Sequence, residues 1–225
     1  PCPGAYSIGD VREGFRASQD RLKAILMGLS GRVLDVGVGE PHSLAEVFSH
    51  WNTPGEDGEP RVRYVGIEPE VRRIKDLHVR YSELDIRELG AESPDLAECL
   101  GAPEDPFDNV LLLRSYNHLT DLYVAFSTLV GLLRPGGTMV VVDNTAFGLV
   151  RSRKKIKDVR GVELEGEAPF EHYRNHRSQD AMAVLEPFGL EVVEHHAVGA
   201  DTANQWILVL QKAHTDDGGN DSLRG

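Results

Sequence analysis

Hydrophobic positions along the chain follow two patterns, which are short continuous apolar runs and longer stretches with helical spacing. In residues 11–29 apolar side chains recur every three or four positions, as at Leu22 and Leu26, which predicts an amphipathic helix. The runs "RVLDVG" at residues 32–37 and "DNVLLLRS" at 108–115 are continuous instead. Continuous runs of this length are typical of strands that are buried on both faces of a sheet.

Strand runs and helical stretches alternate along the first two thirds of the chain, and the pattern changes near its end. Alternation of this kind predicts a parallel sheet with helices on both faces. The third strand, in "YSELDI", is predicted to end at Asp85, and Thr120 is a candidate N-cap for the helix after the fourth strand. "RPGG" is predicted as a turn before the fifth strand. The last two runs, "EVVEHHAV" and "QWILVLQK", lie close together and predict an antiparallel ending.

A glycine loop follows the first predicted strand. The stretch "VLDVGVGEP" runs from the strand through Asp35 to Gly37 and Gly39, and Ser43 with Glu46 then forms a capping-box pattern for a helix. The order of strand, glycine loop and helix N-terminus points backbone N–H groups and a helix dipole at a ligand. This order predicts a nucleotide site.

The composition and charge of the chain limit the kinds of molecule that the protein could bind. The chain has 225 residues, which suits one domain, and a formal charge of −12, which disfavours nucleic acid as the main partner despite the basic run "RSRKK" at 151–155. Its two cysteines and the lack of a secretory signal favour a cytoplasmic protein, and no apolar run approaches the roughly 20 residues that span a membrane. The first residue is not Met, so further domains of a longer chain stay open, as does the oligomeric state.

Several motifs in one order resemble those of the class I S-adenosylmethionine-dependent methyltransferases. The pieces are "VLDVGVGEP", "YVGIEPE", "ELDI", "FDNVLLLRSYNHL" and "LLRPGGTMVVVD". The resemblance implies a Rossmann-like α/β fold, doubly wound, with a mostly parallel seven-stranded sheet and an antiparallel last strand. The resemblance covers roughly residues 10–212, and we predict an N-terminal helical cap at 1–30 and a methyltransferase domain at 31–212. Residues 213–225 have few apolar groups to bury and are predicted to be a disordered tail.

The resemblance implies S-adenosylmethionine as cofactor and assigns roles to residues at the strand ends. Asp35 would hold the methionine ammonium, directly or through water, while Gly37 and Gly39 would let the backbone approach the cofactor. Glu68 would accept hydrogen bonds from the ribose hydroxyls. The further positions are Asp85 and Ile86 beside adenine, and Arg114 and Ser115 beside the sulfonium.

Two departures from familiar glycine loops are visible. The family continues its loop with a third glycine, and Pro41 stands there in this chain. The dinucleotide fingerprint G-x-G-x-x-G also fails, because His42 takes the place of its last glycine. A nicotinamide-dependent reductase is therefore the weaker hypothesis, and no Tyr-x-x-x-Lys pair supports it.

Histidines near the predicted strand ends are the candidates for catalysis. His118 follows the fourth strand and could remove a proton from a hydroxyl acceptor, whereas a neutral amine needs no base. His172 and His176 are four residues apart and could line the acceptor pocket, form half of a zinc site, or lie in an ordinary loop.

The acceptor is predicted to be a small molecule, with a sugar or a secondary metabolite favoured and O- or N-methylation left open. One alternative is a catechol-type enzyme with magnesium at Asp143 and Asn144, but the strand-four end offers Arg114 where that site needs a carboxylate. No metal is therefore expected. A second alternative is a non-catalytic cofactor-binding module of a larger protein.

Overall fold

Strands and helices alternate in the computed structural model, which describes residues 8–39, 44–56, 58–102, 104–144, 174, 176–197 and 205–214. The strands are β1 Gly31–Val36, β2 Val62–Ile67, β3 Asp85–Arg87, β4 Phe107–Leu113, β5 Leu133–Asn144, β6 Leu190–Ala197 and β7 Gln205–Lys212. The helices are α1 Ile8–Met27, α2 Ala45–Trp51, α3 Val71–Arg80, α4 Leu96–Cys99, α5 Leu122–Leu132 and α6 Ser178–Leu185. Short 3₁₀ turns occupy Tyr116–His118 and Glu186–Phe188.

The strands form one seven-stranded sheet in the order β3-β2-β1-β4-β5-β7-β6. The pairings from β3 to β5 are parallel, whereas β7 is antiparallel to both β5 and β6. This topology confirms the predicted fold class. Strand order reverses direction between β1 and β4, and ligands of open α/β sheets bind beyond the carboxyl ends of strands at such a point.

Apolar residues cover both faces of the central strands. Leu111 and Leu112 are adjacent in β4 and fully buried, yet they belong to different core clusters because successive side chains point to opposite faces. Burial on both faces explains why the central strands read as continuous apolar runs in the sequence.

Helix α1 packs across one face of this sheet. Leu22, Leu26 and Leu29 join the cluster that contains Val140 of β5. The indole nitrogen of Trp51 in α2 also donates a hydrogen bond to the carbonyl oxygen of Leu26, at 2.8 Å. The predicted amphipathic helix is confirmed, and α1 starts three residues earlier and ends two residues earlier than the pattern indicated. No described helix is both long and apolar enough to cross a membrane.

Three local predictions differ from the structure. β3 begins at Asp85 rather than ending there, because Ile86 is the residue that is buried against β2 and pairs with Gly66. Asp121, not Thr120, caps α5, since its carboxylate accepts hydrogen bonds from the backbone N–H groups of residues 123 and 124. The "RPGG" stretch lies within β5, where the pairing with β4 shifts register.

Several predicted features fall outside the described residues. They include the Ser43 half of the capping box, the basic run at 151–155, Pro41, His172 and most of the predicted tail. Helix α2 has Leu44 at its N-cap position, and no side-chain hydrogen bond is made there. The boundaries between a cap, a methyltransferase domain and a tail stay predictions.

Candidate functional site

A cavity of about 710 Å³ opens at the carboxyl ends of β1, β2 and β4 and is covered by α1 and α2. Its volume lies within the roughly 300–1,000 Å³ typical of small-molecule sites. The sequence-predicted residues that line it are Asp35, Gly37, Gly39, Glu68, Arg114, Ser115 and His118. Residues from three separate stretches of the sequence therefore meet in one place.

The glycine loop forms one wall of the cavity. Gly37 has φ +73° and Gly39 has φ +59°, which are left-handed conformations that favour glycine. The N–H groups of Gly37 and Val38 donate to the carbonyl oxygen of Ile67 at 2.8 and 3.2 Å, so the loop is tied to the end of β2. A Cβ at Gly37 would lie 2.8 Å from the Cβ of Ser115, so glycine is required for this close approach.

Asp35 presents a buried carboxylate at the base of the loop. Its side chain is almost fully buried, and Oδ2 accepts a hydrogen bond from the hydroxyl of Tyr64 at 2.9 Å. Oδ1 has no hydrogen-bond partner among the described residues. Burial raises the pKa of Asp35 to about 6, the Tyr64 hydrogen bond opposes this rise, and the nearby charge of Glu68 adds to it. An unpartnered buried oxygen of this kind suits a cationic ligand group.

Glu68 follows β2 and is also buried at the cavity wall. Its Oε2 accepts from the N–H of Gly39 at 3.3 Å, and its Oε1 accepts from the N–H of Glu70 at 3.2 Å. Arg73 lies 3.8 Å from Oε2. An ionised carboxylate has about four acceptor positions, so capacity remains for hydroxyl groups of a ligand.

The structure does not bring Asp85 or Ile86 into this cavity. The Asp85 carboxylate is half exposed and pairs with Arg87 through hydrogen bonds of 3.0 and 2.7 Å. Ile86 is buried in a separate small cluster beneath α3. The residues that line the cavity after β3 are Leu89 and Ala91, because the strand starts later than predicted.

Arg114 and Ser115 are the two residues that directly follow β4. Arg114 has φ +66° and is the one described residue other than glycine with a positive φ. Its Nη2 donates to Oε1 of Gln205 at 3.1 Å, and its backbone N–H donates to the carbonyl oxygen of Val142 at 2.7 Å. Ser115 is buried, and its hydroxyl has no hydrogen-bond partner among the described residues.

His118 is half-buried at the cavity wall, in the 3₁₀ turn after β4. Its backbone N–H donates to the carbonyl oxygen of Ser115 at 3.0 Å. Asp143 holds the same turn, because its Oδ2 accepts from the N–H of Asn117 at 2.9 Å and its Oδ1 accepts from the N–H of Asn144 at 2.7 Å. Burial raises the pKa of Asp143 to about 6, against the lowering effect of these backbone hydrogen bonds.

In the catechol-type alternative, Asp143 would be a magnesium ligand. The structure places it as the cap of the turn that contains His118, and both of its oxygens already accept hydrogen bonds. Within the described part of the chain, no group of three or more His, Cys, Asp or Glu side chains comes together as a metal site would require.

His176 lies beside the cavity wall and not in it. Its Nδ1 is 2.9 Å from the hydroxyl of Tyr116, its N–H donates to Oδ1 of Asn117 at 3.3 Å, and its carbonyl oxygen accepts from the indole of Trp206 at 3.0 Å. Burial lowers the pKa of His176, and the charge of Arg174 lowers it further. These contacts fix the turn that carries His118. His172, with Glu171 and Tyr173, lies outside the described residues.

Comparison with known proteins gives a family match over most of the chain. The family model described as a methyltransferase domain matches residues 11–195. A search of the curated proteins finds no match.

Solved structures with the same fold cover most of the chain at low identity. The N-methyltransferase NodS from Bradyrhizobium japonicum WM9 is 13% identical with a TM-score of 0.58, covering 90% of this chain and 98% of that one. The CurJ carbon methyltransferase is 16% identical with a TM-score of 0.60, covering 87% and 54%. Magnesium protoporphyrin IX methyltransferase from Synechocystis PCC 6803, with S-adenosylmethionine bound, is 15% identical with a TM-score of 0.54, covering 93% and 86%. At these identities the likeness shows a common fold.

We predict that Gly37→Ala disrupts the cavity wall more than Gly101→Ala does. Both glycines have a positive φ, but a Cβ at Gly101 meets nothing within 4 Å, whereas at Gly37 it meets Ser115 at 2.8 Å. Gly101→Ala should cost roughly 1–2 kcal/mol of unfolding free energy, the strain of a left-handed non-glycine residue. Gly37→Ala should cost more, because the loop or the end of β4 must move. Urea denaturation measures both, and equal losses would contradict the close approach.

We also predict that Asp35→Asn stabilises the ligand-free protein at high pH. The folded state raises the pKa of Asp35 from 3.8 to about 6, so the wild type should lose stability as pH rises through this window and then stay level. Each tenfold change in an ionisation constant corresponds to about 1.4 kcal/mol, so a shift of this size gives an expected gain on the order of 3 kcal/mol at pH 8 and little at pH 4.

The matched variant for this test is Tyr64→Phe. It removes the hydroxyl that donates to Asp35 and should steepen the loss of stability with pH rather than remove it. Urea denaturation from pH 4 to pH 8 gives the difference from wild type at each pH. A difference that does not change with pH for Asp35→Asn would show that this carboxylate is not the titrating group.

Proposed function

The chain belongs to the class I S-adenosylmethionine-dependent methyltransferase family, and from this membership we propose that it transfers a methyl group to a hydroxyl or amine of a small molecule. The observation that carries the proposal is the cavity in which the glycine loop, Asp35 and Glu68 meet His118. This arrangement supports a cofactor at the β1–β2 side of the cavity and an acceptor at the β4 side.

The residues at the β1–β2 side have the chemistry that S-adenosylmethionine requires. Asp35 offers an unpartnered buried oxygen for the ammonium of the methionine moiety, and Glu68 offers acceptor positions for the ribose hydroxyls. Leu89 and Ala91 provide an apolar wall for adenine, so we transfer the adenine-contact role that sequence reasoning gave to Asp85 and Ile86 to these two residues.

The residues at the β4 side lie where the methyl group would be transferred. When bound, S-adenosylmethionine supplies a methyl group activated by its positive sulfur, and the sulfur keeps the bonding electron pair when the methyl leaves. The protein's task is to align the acceptor with that methyl, for which Ser115 and Arg114 form the adjacent wall.

His118 is the group we propose to move the acceptor's proton. A hydroxyl acceptor loses its proton as its oxygen bonds to the methyl carbon, and a neutral imidazole at the cavity wall can take that proton. The turn that carries His118 is fixed by Asp143 and Asn117, which keeps the ring near the acceptor side. An amine acceptor that arrives neutral would need His118 less.

A small-molecule acceptor fits the size and cover of the cavity. Helices α1 and α2 lie over it, and the formal charge of −12 does not favour a nucleic acid. The named structural neighbours are an N-methyltransferase, a carbon methyltransferase and a magnesium protoporphyrin IX methyltransferase, so they leave the choice between O- and N-methylation open. We place the reaction in the cytoplasm. The catechol-type metal mechanism is less well supported, since the oxygens of Asp143 are already hydrogen-bonded.

We predict that S-adenosylhomocysteine binds with one site and that Glu68→Ala weakens this binding by roughly 1–3 kcal/mol, the cost of an unmade hydrogen bond to a buried group. Asp85→Ala is the matched control, because its carboxylate is paired with Arg87 outside the cavity and should leave the affinity unchanged. Isothermal titration calorimetry measures both variants. Binding of NADH without binding of S-adenosylhomocysteine would overturn the assignment of the cofactor.

We predict that His118→Ala lowers kcat by roughly 10²–10⁴-fold for a hydroxyl acceptor, the usual effect of losing a general base. His195→Ala, on the exposed strand β6, is the control and should leave kcat unchanged. A panel of hydroxyl and amine acceptors, followed by S-adenosylhomocysteine release, provides the assay.

Two results would contradict this role for His118. If EDTA abolishes turnover and magnesium restores it, Asp143 and Asn144 become the ligands to test, since a metal would itself lower the acceptor's pKa. If the cofactor binds but no acceptor across the panel is methylated, the non-catalytic module becomes the better hypothesis.

A further inference from the structure

Arg114 adopts a backbone conformation that its side chain disfavours. It follows β4 directly, with φ +66°, and a non-glycine residue in this region is strained. Its N–H donates to the carbonyl oxygen of Val142 at 2.7 Å, which holds the strained peptide against β5. Backbone strain of this kind is found mainly at functional sites, where it places a side chain in a direction that the function requires.

The guanidinium of Arg114 is held by a neutral amide. Its Nη2 donates to Oε1 of Gln205 at 3.1 Å, and Gln205 is almost fully buried at the start of β7. The same amide is fixed on both sides, because Oε1 also accepts from Gln19 at 2.8 Å and Nε2 donates to Ser18 at 2.9 Å. Gln205 thus holds the guanidinium of this cavity-lining residue without neutralising its charge.

The other arginine and lysine side chains that line the cavity face carboxylates. Lys23 forms an ion pair with Glu46, and Arg73 lies 3.8 Å from Glu68. Arg114 forms no ion pair with any residue that the structure describes. Asp143 is near enough for the Arg114 charge to affect it.

Asp143 forms neither a hydrogen bond nor an ion pair with that guanidinium in the described part of the chain. Its two oxygens already accept hydrogen bonds from the backbone N–H groups of Asn117 and Asn144. The cavity therefore contains one oriented guanidinium whose charge has no anionic hydrogen-bond partner in the described chain. Guanidinium groups have five N–H donors in a planar fork that matches a carboxylate.

We infer that Arg114 binds a carboxylate of the methyl acceptor, so that the acceptors of this enzyme are small carboxylic acids with a hydroxyl or amino group to be methylated. This inference rests on the proposed function. The methyl donor has a positive sulfur, and a guanidinium on the same wall would repel it unless an anion enters with the acceptor. A carboxylate beside Arg114 removes that repulsion and anchors the acceptor at the β4 side.

The carboxylate of the cofactor's methionine moiety has the same chemistry, so the first measurement separates the two sources. Calorimetry compares S-adenosylhomocysteine with 5′-methylthioadenosine, which lacks the amino-acid group, in wild type and in Arg114→Gln. We expect Arg114→Gln to leave both affinities within about twofold of wild type. A loss confined to S-adenosylhomocysteine would assign Arg114 to the cofactor and overturn the inference. Failure of the wild type to bind S-adenosylhomocysteine would instead overturn the proposed function.

The second measurement tests the acceptor directly on protein saturated with S-adenosylhomocysteine. The probes are 3-hydroxybenzoate and 3-aminobenzoate, each paired with its carboxamide, and titration by NMR gives the affinities. We expect each carboxylate to bind at least tenfold more tightly than its carboxamide, as a charge-assisted hydrogen bond of about 1.5 kcal/mol or more implies.

The variants assign this preference to one side chain. Arg114→Gln should abolish it, and Arg114→Lys should keep part of it, because lysine keeps the charge but not the planar fork. The control Arg63→Gln removes an exposed arginine that pairs with Asp105 outside the cavity, and it should keep the full preference. Equal binding of acid and amide by the wild type, or a preference that survives in correctly folded Arg114→Gln, would overturn the inference.

Discussion

The contact between Gly37 and Ser115 is the constraint on which the rest of the site depends. It brings the end of β1 against the end of β4, at a distance that leaves no room for a Cβ on Gly37. Because the two strand ends meet, the glycine loop and the residues after β4 share one cavity. The left-handed backbone at Arg114 belongs to the same junction, since it turns the chain from β4 into the segment that faces the loop.

Asp35 and Asp143 are two buried carboxylates at strand ends that differ in the hydrogen bonds they accept. Both carboxylate oxygens of Asp143 accept hydrogen bonds from backbone N–H groups, which fixes the turn before α5. One oxygen of Asp35 accepts a hydrogen bond from the Tyr64 hydroxyl, and the other has no hydrogen-bond partner among the described residues. Burial raises the pKa of both residues to about 6, so burial alone does not distinguish a structural carboxylate from a ligand-binding one. The unpaired oxygen of Asp35 does distinguish the two residues, because the free-energy cost of burying it is offset only when a donor forms a hydrogen bond to it.

The sequence predicts the sheet well and brings Gly37 and Glu68 to the cavity wall, because these depend on local signals. Continuous apolar runs mark the strands, and Gly37 and Glu68 follow strand ends directly. Asp85 and Ile86 lie outside the cavity lining, because β3 has three residues and a short strand gives too little periodicity to fix where it begins. His176 could not be placed from sequence, since its position depends on Tyr116 and Trp206, which are distant along the chain.

The surroundings of Arg114 are built from both ends of the described chain, which explains why their chemistry is hard to infer from sequence motifs. Ser18 and Gln19 on α1 meet Gln205 on β7 across more than 180 positions, and this buried amide then contacts Arg114. Sequence motifs consist of residues that are close together in the chain, so no motif could contain a hydrogen-bond network between α1 and β7. Since α1 also lies over the cavity, any change in how this helix packs would alter the guanidinium's position along with the cover of the site. The position of the Arg114 guanidinium is therefore coupled to α1, whereas Asp35 contacts Tyr64 of β2 and Glu68 contacts the glycine loop and Arg73 of α3.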